Sequence, residues 1–314
     1  MRLCLMIEGQ EGVSWEEWLA LARAAEAHGL DGLFRSDHYT SIIRRGQGSL
    51  DAWTLLAALA ATTTRIRLGT MVSPVTFRHP TVLARSVVTV DHISNGRVEL
   101  GMGAGWYEAE HRRGGFPFPD VRTRFEQFAE QVEIVVRSWT EEHFDFDGKH
   151  YSLEGQTALP RPLQQPHPPL VLGGSARPRS AALAARFAQE YNTPSATPDQ
   201  CAERRRSLDQ ACIEIGRDPA SLPLSVMATC VIGANEADVD RRLRAVLQRI
   251  DDPRDVDVVR EEKAAWLVGT CDELAERLDQ YRAAGVSRVF LQHLDHSDLE
   301  AVALVGDCLV PLVS

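Results

Sequence analysis

The chain has 314 residues, of which 44% are hydrophobic and 25% charged, a balance typical of a globular protein rather than a disordered or fibrous one. The formal net charge is −10 and basic residues occur only in short runs, so we expect no nucleic-acid partner. The apolar runs are shorter than a membrane span, and the first ten residues are more typical of a strand than of a signal peptide. We therefore expect no membrane association and a cytoplasmic location.

Six cysteines are present, and no two of them form a C-x-x-C pair. Most lie in apolar or helical patterns, where reduced cysteines pack as small apolar side chains. We therefore predict neither a disulfide nor a metal site. The cysteines are Cys4, Cys201, Cys212, Cys230, Cys271 and Cys308.

Apolar runs alternate with amphipathic helical segments along the chain. In the first helical segment, Ser14 and Glu17 match a capping box that predicts the start of a helix, and Gly29 predicts its end. Successive strands begin about thirty residues apart, the length that a right-handed crossover between parallel strands requires. The eight predicted strands are residues 3–7, 32–35, 66–72, 98–102, 169–172, 189–192, 224–232 and 288–293.

Two segments interrupt this repeat. Residues 144–151 place Asp147-Gly148 between short alternating runs, the pattern of a β-hairpin. Residues near 236–266 are polar and helical, and they precede another capping box at Thr270 and Glu273. We predict a (β/α)8 TIM barrel of class α/β with these two insertions, in one domain spanning residues 1–314. An open doubly wound sheet is the alternative.

The first catalytic candidates follow the second strand. In a (β/α)8 barrel the chemistry lies at the C-terminal ends of the strands. His38 follows this strand beside Asp37, and a histidine next to a carboxylate can act as a general acid or base. A loop capped by Asp37 with an exposed His38 is the simpler structural explanation. Because the pair directly follows a strand, we rank His38 and Asp37 first among the catalytic candidates.

A glycine-rich stretch ends the fourth strand, with Gly101, Gly103 and Gly105 at alternate positions. Trp106 occupies the place of a glycine in the dinucleotide-binding motif G-x-G-x-x-G, so that motif does not fit. Missing side chains on one face of a strand allow a flat group to lie against the backbone. Crowding within the barrel wall is the alternative explanation.

The fifth strand is followed by Gly173-Gly174-Ser175 and by a helix that begins near Pro178. The first N–H groups of a helix and its dipole favour an anion, most simply a phosphate. A site for a flat group and a site for a phosphate on one barrel rim together predict a phosphorylated cofactor with a planar ring.

Five segments, in this order, resemble the luciferase-like monooxygenase superfamily, and specifically its coenzyme F420-dependent oxidoreductase branch. They are residues 36–38, 68–80, 90–111, 115–119 and 166–176. The resemblance implies a (β/α)8 barrel that binds F420 at the C-terminal ends of its strands. It also implies a cis peptide bond between Met71 and Val72 at the back of the cofactor ring.

The resemblance implies a role for each of several residues. His38 matches a position that acts as an acid or base, or contacts the cofactor, in some relatives, and Trp106 begins the wall of the substrate or cofactor site. The implied cofactor contacts are Thr70, Met71, Val72, Gly103, Gly105 and Asn192, with Gly173, Gly174 and Ser175 at the phosphate.

The chain departs from the sugar-phosphate dehydrogenases of this branch at Trp106, where they carry a glutamate that donates a proton. Glu108 and Glu110 are expected to cap the next helix or to pair with Arg112 or Arg113. Sugar-phosphate oxidation is therefore not predicted.

The implied function is hydride transfer between F420 and a small organic substrate, in a homodimer, with a separate F420 or flavin reductase supplying reduced cofactor. One alternative is an FMN-dependent monooxygenase that uses FMNH2 and oxygen, because the flavin and deazaflavin rings differ by one atom. Arg177 and Arg179 favour F420, whose longer tail needs a partly cationic groove. A non-catalytic deazaflavin- or flavin-binding protein is the second alternative.

Overall fold

In the computed structural model, which describes residues 1–44, 46–157, 159–262 and 264–313, parallel strands alternate with helices along most of the chain. The strands are β1 Arg2–Ile7, β2 Gly32–Arg35, β3 Arg67–Thr70, β4 Ser73–Pro74, β5 Val98–Gly103, β6 His143–Asp147, β7 Ser152–Thr157, β8 Leu170–Gly173, β9 Glu190–Pro194, β10 Leu224–Gly233, β11 Leu267–Thr270 and β12 Val286–Gln292. The helices are α1 Trp15–Ala27, α2 Ala52–Thr62, α3 Pro80–Ser94, α4 Glu108–Gly114, α5 Val121–Thr140, α6 Pro178–Phe187, α7 Pro198–Glu214, α8 Glu236–Arg249, α9 Val256–Glu262, α10 Cys271–Ala283, α11 Leu299–Leu304 and α12 Val310–Val313.

Eight of the described strands close a parallel barrel in the order β1, β2, β3, β5, β8, β9, β10 and β12. The barrel closes where β12 pairs with β1, with Cys4 beside Phe290 and Met6 beside Gln292. The predicted (β/α)8 barrel is therefore confirmed, and the open doubly wound sheet is excluded.

Both predicted insertions are present. Strands β6 and β7 form an antiparallel hairpin, in which the Gly148 N–H donates to the Tyr151 carbonyl across the turn. The polar segment before α10 contains α8 and α9 and ends in β11. This short strand pairs in parallel with the C-terminal part of β10, and the sequence pattern does not predict it. No helix in the described part of the chain combines the length and apolar composition needed to cross a membrane.

The predicted capping boxes form as expected. The Ser14 hydroxyl accepts from the Glu17 N–H at 3.2 Å, and the Glu17 carboxylate accepts from the Ser14 N–H at 2.8 Å. Thr270 and Glu273 make the same reciprocal pair at the start of α10. Each box satisfies backbone donors that the first turn of a helix leaves unpaired, which fixes where the helix begins.

The prediction that all cysteines are reduced is wrong for one pair. Cys271, the first residue of α10, forms a disulfide with Cys308 in the π-helical segment Val305–Leu309. The two residues lie 37 positions apart, and only the packing of this segment against α10 brings them together. Cys4, Cys201, Cys212 and Cys230 are buried free thiols, as predicted.

A buried ion cluster fills the N-terminal end of the barrel. Arg288 of β12 donates to both carboxylate oxygens of Glu99 in β5, at 3.0 and 2.7 Å, and to Glu190 in β9 at 3.0 Å. The three residues are at most 3% exposed. Burial raises the pKa of Glu99, but the charge and hydrogen bonds of Arg288 outweigh that effect and lower it to about 2. Arg288 therefore binds both carboxylates from a fully buried position, while Arg67 binds Glu99 and Arg2 binds Glu190 from more exposed positions.

We expect Arg288→Met to destabilise the fold by about 3–5 kcal/mol, because it removes the one charge buried between Glu99 and Glu190 and leaves them only the more exposed Arg67 and Arg2. Arg2→Met is the matched control, since Arg2 also binds Glu190 but its side chain is 45% exposed, and it should cost about 1 kcal/mol or less. Chemical denaturation followed by circular dichroism measures both. An equal loss in the two variants would contradict the role assigned to Arg288.

Candidate active site

A cavity of about 810 Å³ opens at the C-terminal ends of the barrel strands. Its wall includes most of the predicted site residues. These are His38, Met71, Val72, Gly103, Gly105, Trp106, Gly173, Gly174 and Asn192. The cavity is lined mainly by apolar atoms, and Trp106, which is 63% exposed, stands at its mouth. Its size falls within the roughly 300–1,000 Å³ typical of cofactor and ligand sites.

Three predicted site residues lie outside the described lining of this cavity. Asp37 is 1% exposed, accepts from Arg78 at 2.5 Å and from the Ser73 hydroxyl at 2.6 Å, and so joins the loops after β2 and β3. Thr70 is fully buried and donates to the Gly101 carbonyl at 2.9 Å. Ser175 is exposed on the loop between β8 and α6. The catalytic role expected for Asp37 thus conflicts with its burial in a structural ion pair.

The carboxylate that binds His38 is Glu110 rather than the adjacent Asp37. His38 Nδ1 lies 2.7 Å from Glu110 Oε2, and the other Glu110 oxygen accepts from the backbone N–H groups of Tyr39 and Thr40. Glu110 is 1% exposed, so the expectation that it caps α4 or pairs with a neighbouring arginine is wrong. Glu108 does pair with Arg112, at 4.0 Å on the surface.

This geometry determines the state and orientation of His38. Burial lowers its pKa, but the hydrogen bond and charge of Glu110 outweigh burial, so the pKa is raised above its ordinary value. With Nδ1 held by Glu110, the neutral ring carries its proton on Nδ1 and has an acceptor at Nε2. The ring lines the cavity and is therefore placed to exchange a proton with a bound molecule.

The peptide bond between Met71 and Val72 is cis, as the resemblance implied, and both residues line the cavity. The Val72 side chain lies against the glycines that end β5 and β8. A Cβ on Gly103 would stand 2.7 Å from Val72 Cγ2, and one on Gly173 would stand 3.4 Å from Val72 Cγ1. A Cβ on Gly101 would lie 2.1 Å from the Thr70 carbonyl oxygen. The glycines of β5 therefore make room for this bulge, which is a different reason for them than the expected space beside a ring.

The loop between β8 and α6 is held by Tyr191 of β9. The Tyr191 hydroxyl accepts from the Ala176 N–H at 2.9 Å, and a Cβ on Gly174 would lie 2.8 Å from that hydroxyl oxygen. Gly174 has φ = +155°, a value that favours glycine. Helix α6 then begins at Pro178 with its N-terminus towards this loop. The Gly174 N–H donates to the Asn192 carbonyl at 3.0 Å, and a phosphate at this loop stays a prediction.

The two arginines expected beside a cofactor tail differ in their surroundings. Arg177 is the exposed residue before α6, and its side chain makes no capping hydrogen bond. Arg179 lies over the ring of Phe125, with its guanidinium carbon 4.5 Å from the ring centroid. Arg177 therefore remains the better candidate for a contact with an anionic tail.

A row of hydrogen-bonded polar side chains lies along the cavity wall, and the sequence motifs do not predict it. Glu8 accepts from Gln10 at 2.9 Å and from Gln292 at 2.5 Å. Ser36 donates to Gln10 at 2.5 Å, and Thr229 donates to Gln292 at 2.6 Å. Glu8, Gln10 and Ser36 follow β1 and β2, and Gln292 ends β12, which is the signal that could have identified them. Thr229 lies within β10 beside Gln292, so its position in the sequence gives no such signal.

A sequence model of the family described as luciferase-like monooxygenase matches residues 4–288. An F420-dependent glucose-6-phosphate dehydrogenase of Nakamurella multipartita is 28% identical over 315 residues, covering 93% of this chain and 90% of that protein. An uncharacterized protein of Mycobacterium tuberculosis is 33% identical over 190 residues, which are 55% of this chain. That match spans 66% of the mycobacterial protein, slightly under two thirds of its length.

Two solved structures share the fold over the whole chain. The monooxygenase RslO1 from Streptomyces bottropensis has a TM-score of 0.85 and 26% identity, with 100% of both chains covered. An F420-dependent secondary alcohol dehydrogenase, solved with an F420-acetone adduct, has a TM-score of 0.84 and 19% identity, covering 100% of this chain and 99% of the other. At that identity the second match shows the fold alone.

We expect Glu110→Gln to lower the pKa of His38, because the charge that outweighs burial is removed. A raised pKa keeps the His38 proton to higher pH in the native protein, so the variant should lose it at lower pH. NMR titration of the His38 ring protons measures this shift. Glu108→Gln, on the surface of the same helix, is the control and should leave the titration unchanged. An unchanged or raised pKa in Glu110→Gln would show that Glu110 does not set the protonation of His38.

Proposed function

Because the chain belongs to the luciferase-like monooxygenase family, we propose that it is an F420-dependent oxidoreductase that transfers a hydride between the deazaflavin and a small organic substrate. The observation that carries this proposal is the His38–Glu110 pair, which opens onto an apolar cavity at the C-terminal ends of the barrel strands. The names of F420-dependent relatives support the choice of cofactor.

The residues of the cavity fit such a cofactor. Met71 and Val72 give the cavity wall apolar side chains, and Gly173 and Gly174 line the cavity beside the N-terminus of α6. We propose that these two glycines and the neighbouring backbone at Ser175 hold the phosphate, with Gly103, Gly105 and Asn192 around the ring. The deazaflavin would supply the hydride donor or acceptor.

The protein then supplies position and proton transfer. Glu110 holds the His38 ring in one orientation, and His38 Nε2 takes a proton from the substrate when hydride leaves it, or returns a proton when hydride is added. The two electrons move with the hydride, so one proton at Nε2 completes the balance. The lining of the cavity is mainly apolar, and Trp106 stands at its mouth, where it would contact the substrate.

An FMN-dependent monooxygenase is the second candidate. The observation that favours it is the likeness to RslO1, which is called a monooxygenase and shares 26% identity over the full chain. The same phosphate loop and the same apolar wall would serve FMN. A non-catalytic cofactor-binding protein is less favoured, because a His–Glu pair oriented towards the cavity has no purpose in simple storage.

We also propose the setting in which the enzyme works. Residues 1–314 would form one domain, two copies a homodimer, and the protein would act in the cytoplasm on a small-molecule substrate. A separate F420 or flavin reductase would supply reduced cofactor. Light scattering of the purified protein tests the dimer.

Fluorescence titration with F420 and, separately, with FMN tests the choice of cofactor. We expect F420 to bind with a Kd of about 1 µM or tighter and FMN at least about tenfold more weakly. Preferential binding of FMN would replace the proposal with the monooxygenase.

The variant Gly173→Asp should abolish cofactor binding in the same titration, because its carboxylate would meet the phosphate. Gly216→Asp is the control, since Gly216 is exposed after α7, has φ = +71° and has no side-chain crowding within 4 Å. Unchanged affinity in Gly173→Asp would remove this loop from the cofactor site.

Turnover separates the enzyme from the binding protein. His38→Ala should slow F420 reduction by a substrate about 100-fold or more while leaving the Kd for F420 within about threefold of wild type. A variant that loses F420 binding to the same extent as turnover would make His38 a binding residue instead.

A further inference from the structure

We propose that the substrate carries a protonated amine, bound in a polar branch of the cavity whose acceptors are Glu8, Glu11 and His293. We call this region the acidic branch. The proposal rests on the proposed function, because it names the substrate class of the same site. It is independent of whether F420 or FMN is the cofactor.

The acidic branch is a space of about 160 Å³ next to the main cavity. Glu8, Glu11, Ile43, Ile250 and Leu294 line both spaces, so the branch adjoins the place where the proposed substrate binds. Since one water occupies about 30 Å³ of liquid, the branch has room for a short polar group. A substrate in the apolar cavity could therefore extend one polar end into it.

Glu8 and Glu11 are held in place by hydrogen bonds that they accept. Both oxygens of Glu8 accept from side-chain amides, those of Gln10 and Gln292. Both oxygens of Glu11, which is 8% exposed, also accept: Oε2 from the Ser41 hydroxyl at 2.5 Å and Oε1 from the Ile42 N–H at 3.0 Å. Carboxylate oxygens that already accept from such donors retain further lone pairs for a ligand.

The positive groups of the branch are engaged elsewhere. Arg44 binds the Gln248 carbonyl at 2.7 Å and Asp251 at 3.4 Å, while Arg249 binds Asp295 at 3.2 Å and the His296 ring. His296 in turn lies 3.3 Å from Glu17. Across residues 1–44, 46–157, 159–262 and 264–313, neither Glu8 nor Glu11 forms an ion pair. Two carboxylates of the cavity wall thus form no ion pair with a described residue, and Arg44 and Arg249, which line the same branch, are each bound to an aspartate.

His293 points independently to a ligand. It is 8% exposed, and its Nε2 has no hydrogen-bond partner among the described residues, yet it lines the branch. Burial lowers the pKa of His293 to about 4, so the ring is neutral at neutral pH. A hydrogen bond with the backbone of Asp298 occupies the other side of the ring, which leaves Nε2 as an acceptor. A buried acceptor without a donor is costly, and a bound N–H group would satisfy it.

These groups together select for charge and for donors. A protonated amine offers three N–H donors and one positive charge, and it matches two carboxylates and a neutral imidazole. A phosphate or carboxylate would meet repulsion from Glu8 and Glu11 and would find no donor at His293. An alcohol would offer one O–H donor to three acceptors and no positive charge to the two carboxylates. The amine is therefore the group that the acidic branch fits best.

Three probes that differ only in their terminal group test this inference: 3-phenylpropylamine, 3-phenylpropan-1-ol and 3-phenylpropanoate. Isothermal titration at pH 7, where an alkyl amine is protonated, measures binding to the protein with and without F420. We expect the amine to bind at least about tenfold more tightly than the alcohol, and the carboxylate to bind more weakly than either. Equal or weaker binding of the amine overturns the inference.

Variants locate the effect. Glu8→Gln and Glu11→Gln should each reduce the preference for the amine over the alcohol by about fivefold or more, since each removes one charge and keeps the shape. Glu108→Gln, on the surface outside the cavity, is the control and should keep the full preference. A folded Glu8→Gln or Glu11→Gln protein, verified by circular dichroism, that keeps the full preference overturns the inference.

The two proposals can fail separately. Preference for the amine in a protein that does not bind F420 would overturn the proposed cofactor and support the acidic branch. Binding of F420 without a preference for the amine would support the proposed function and overturn the acidic branch.

Discussion

The barrel depends on one buried arginine that binds two buried carboxylates at its N-terminal end. Arg288, Glu99 and Glu190 belong to three different strands. The rings of Phe34 and Phe290 pack edge to face beside Arg288, with their centroids 4.8 Å apart. Ions buried in this way stabilise a fold only while every partner is present. The cluster therefore closes the N-terminal end of the barrel with a fixed charge arrangement and leaves the other end open for the cavity.

At the open C-terminal end of the barrel, contacts between distant residues fix the position of the cavity wall. Val72 fits against Gly103 and Gly173, so the glycines determine how far the bulge after β3 can move inward. After the neighbouring strand β2, Glu110 holds the loop from His38 to Thr40 through three donors. The position of the proposed acid or base thus depends on a helix after β5, while the proposed cofactor wall depends on the bulge after β3.

Much of the fold could be predicted from the sequence, because periodicity and capping are local signals. The strands, the hairpin and the capping boxes at Ser14 and Thr270 all follow from residues close together in the chain. Contacts between distant residues could not be predicted in this way. Glu110 lies 72 positions from His38, and the disulfide joins residues 37 positions apart, so no spacing pattern reveals either pair. The adjacent Asp37 binds Arg78 and Ser73 instead of His38, so closeness in sequence does not identify the partner of His38.

The pairing of β1 with β12 has a consequence for how the protein acquires its site. Glu8 receives a hydrogen bond from Gln292, 284 positions later, across the seam where the barrel closes. Contacts of such long sequence separation form late, because a large loop must close before they can add stability. A growing chain on the ribosome can pack its early helices and strands, but it has no complete substrate wall until the last strand joins the first. The order of synthesis thus delays binding competence until the closing step of folding.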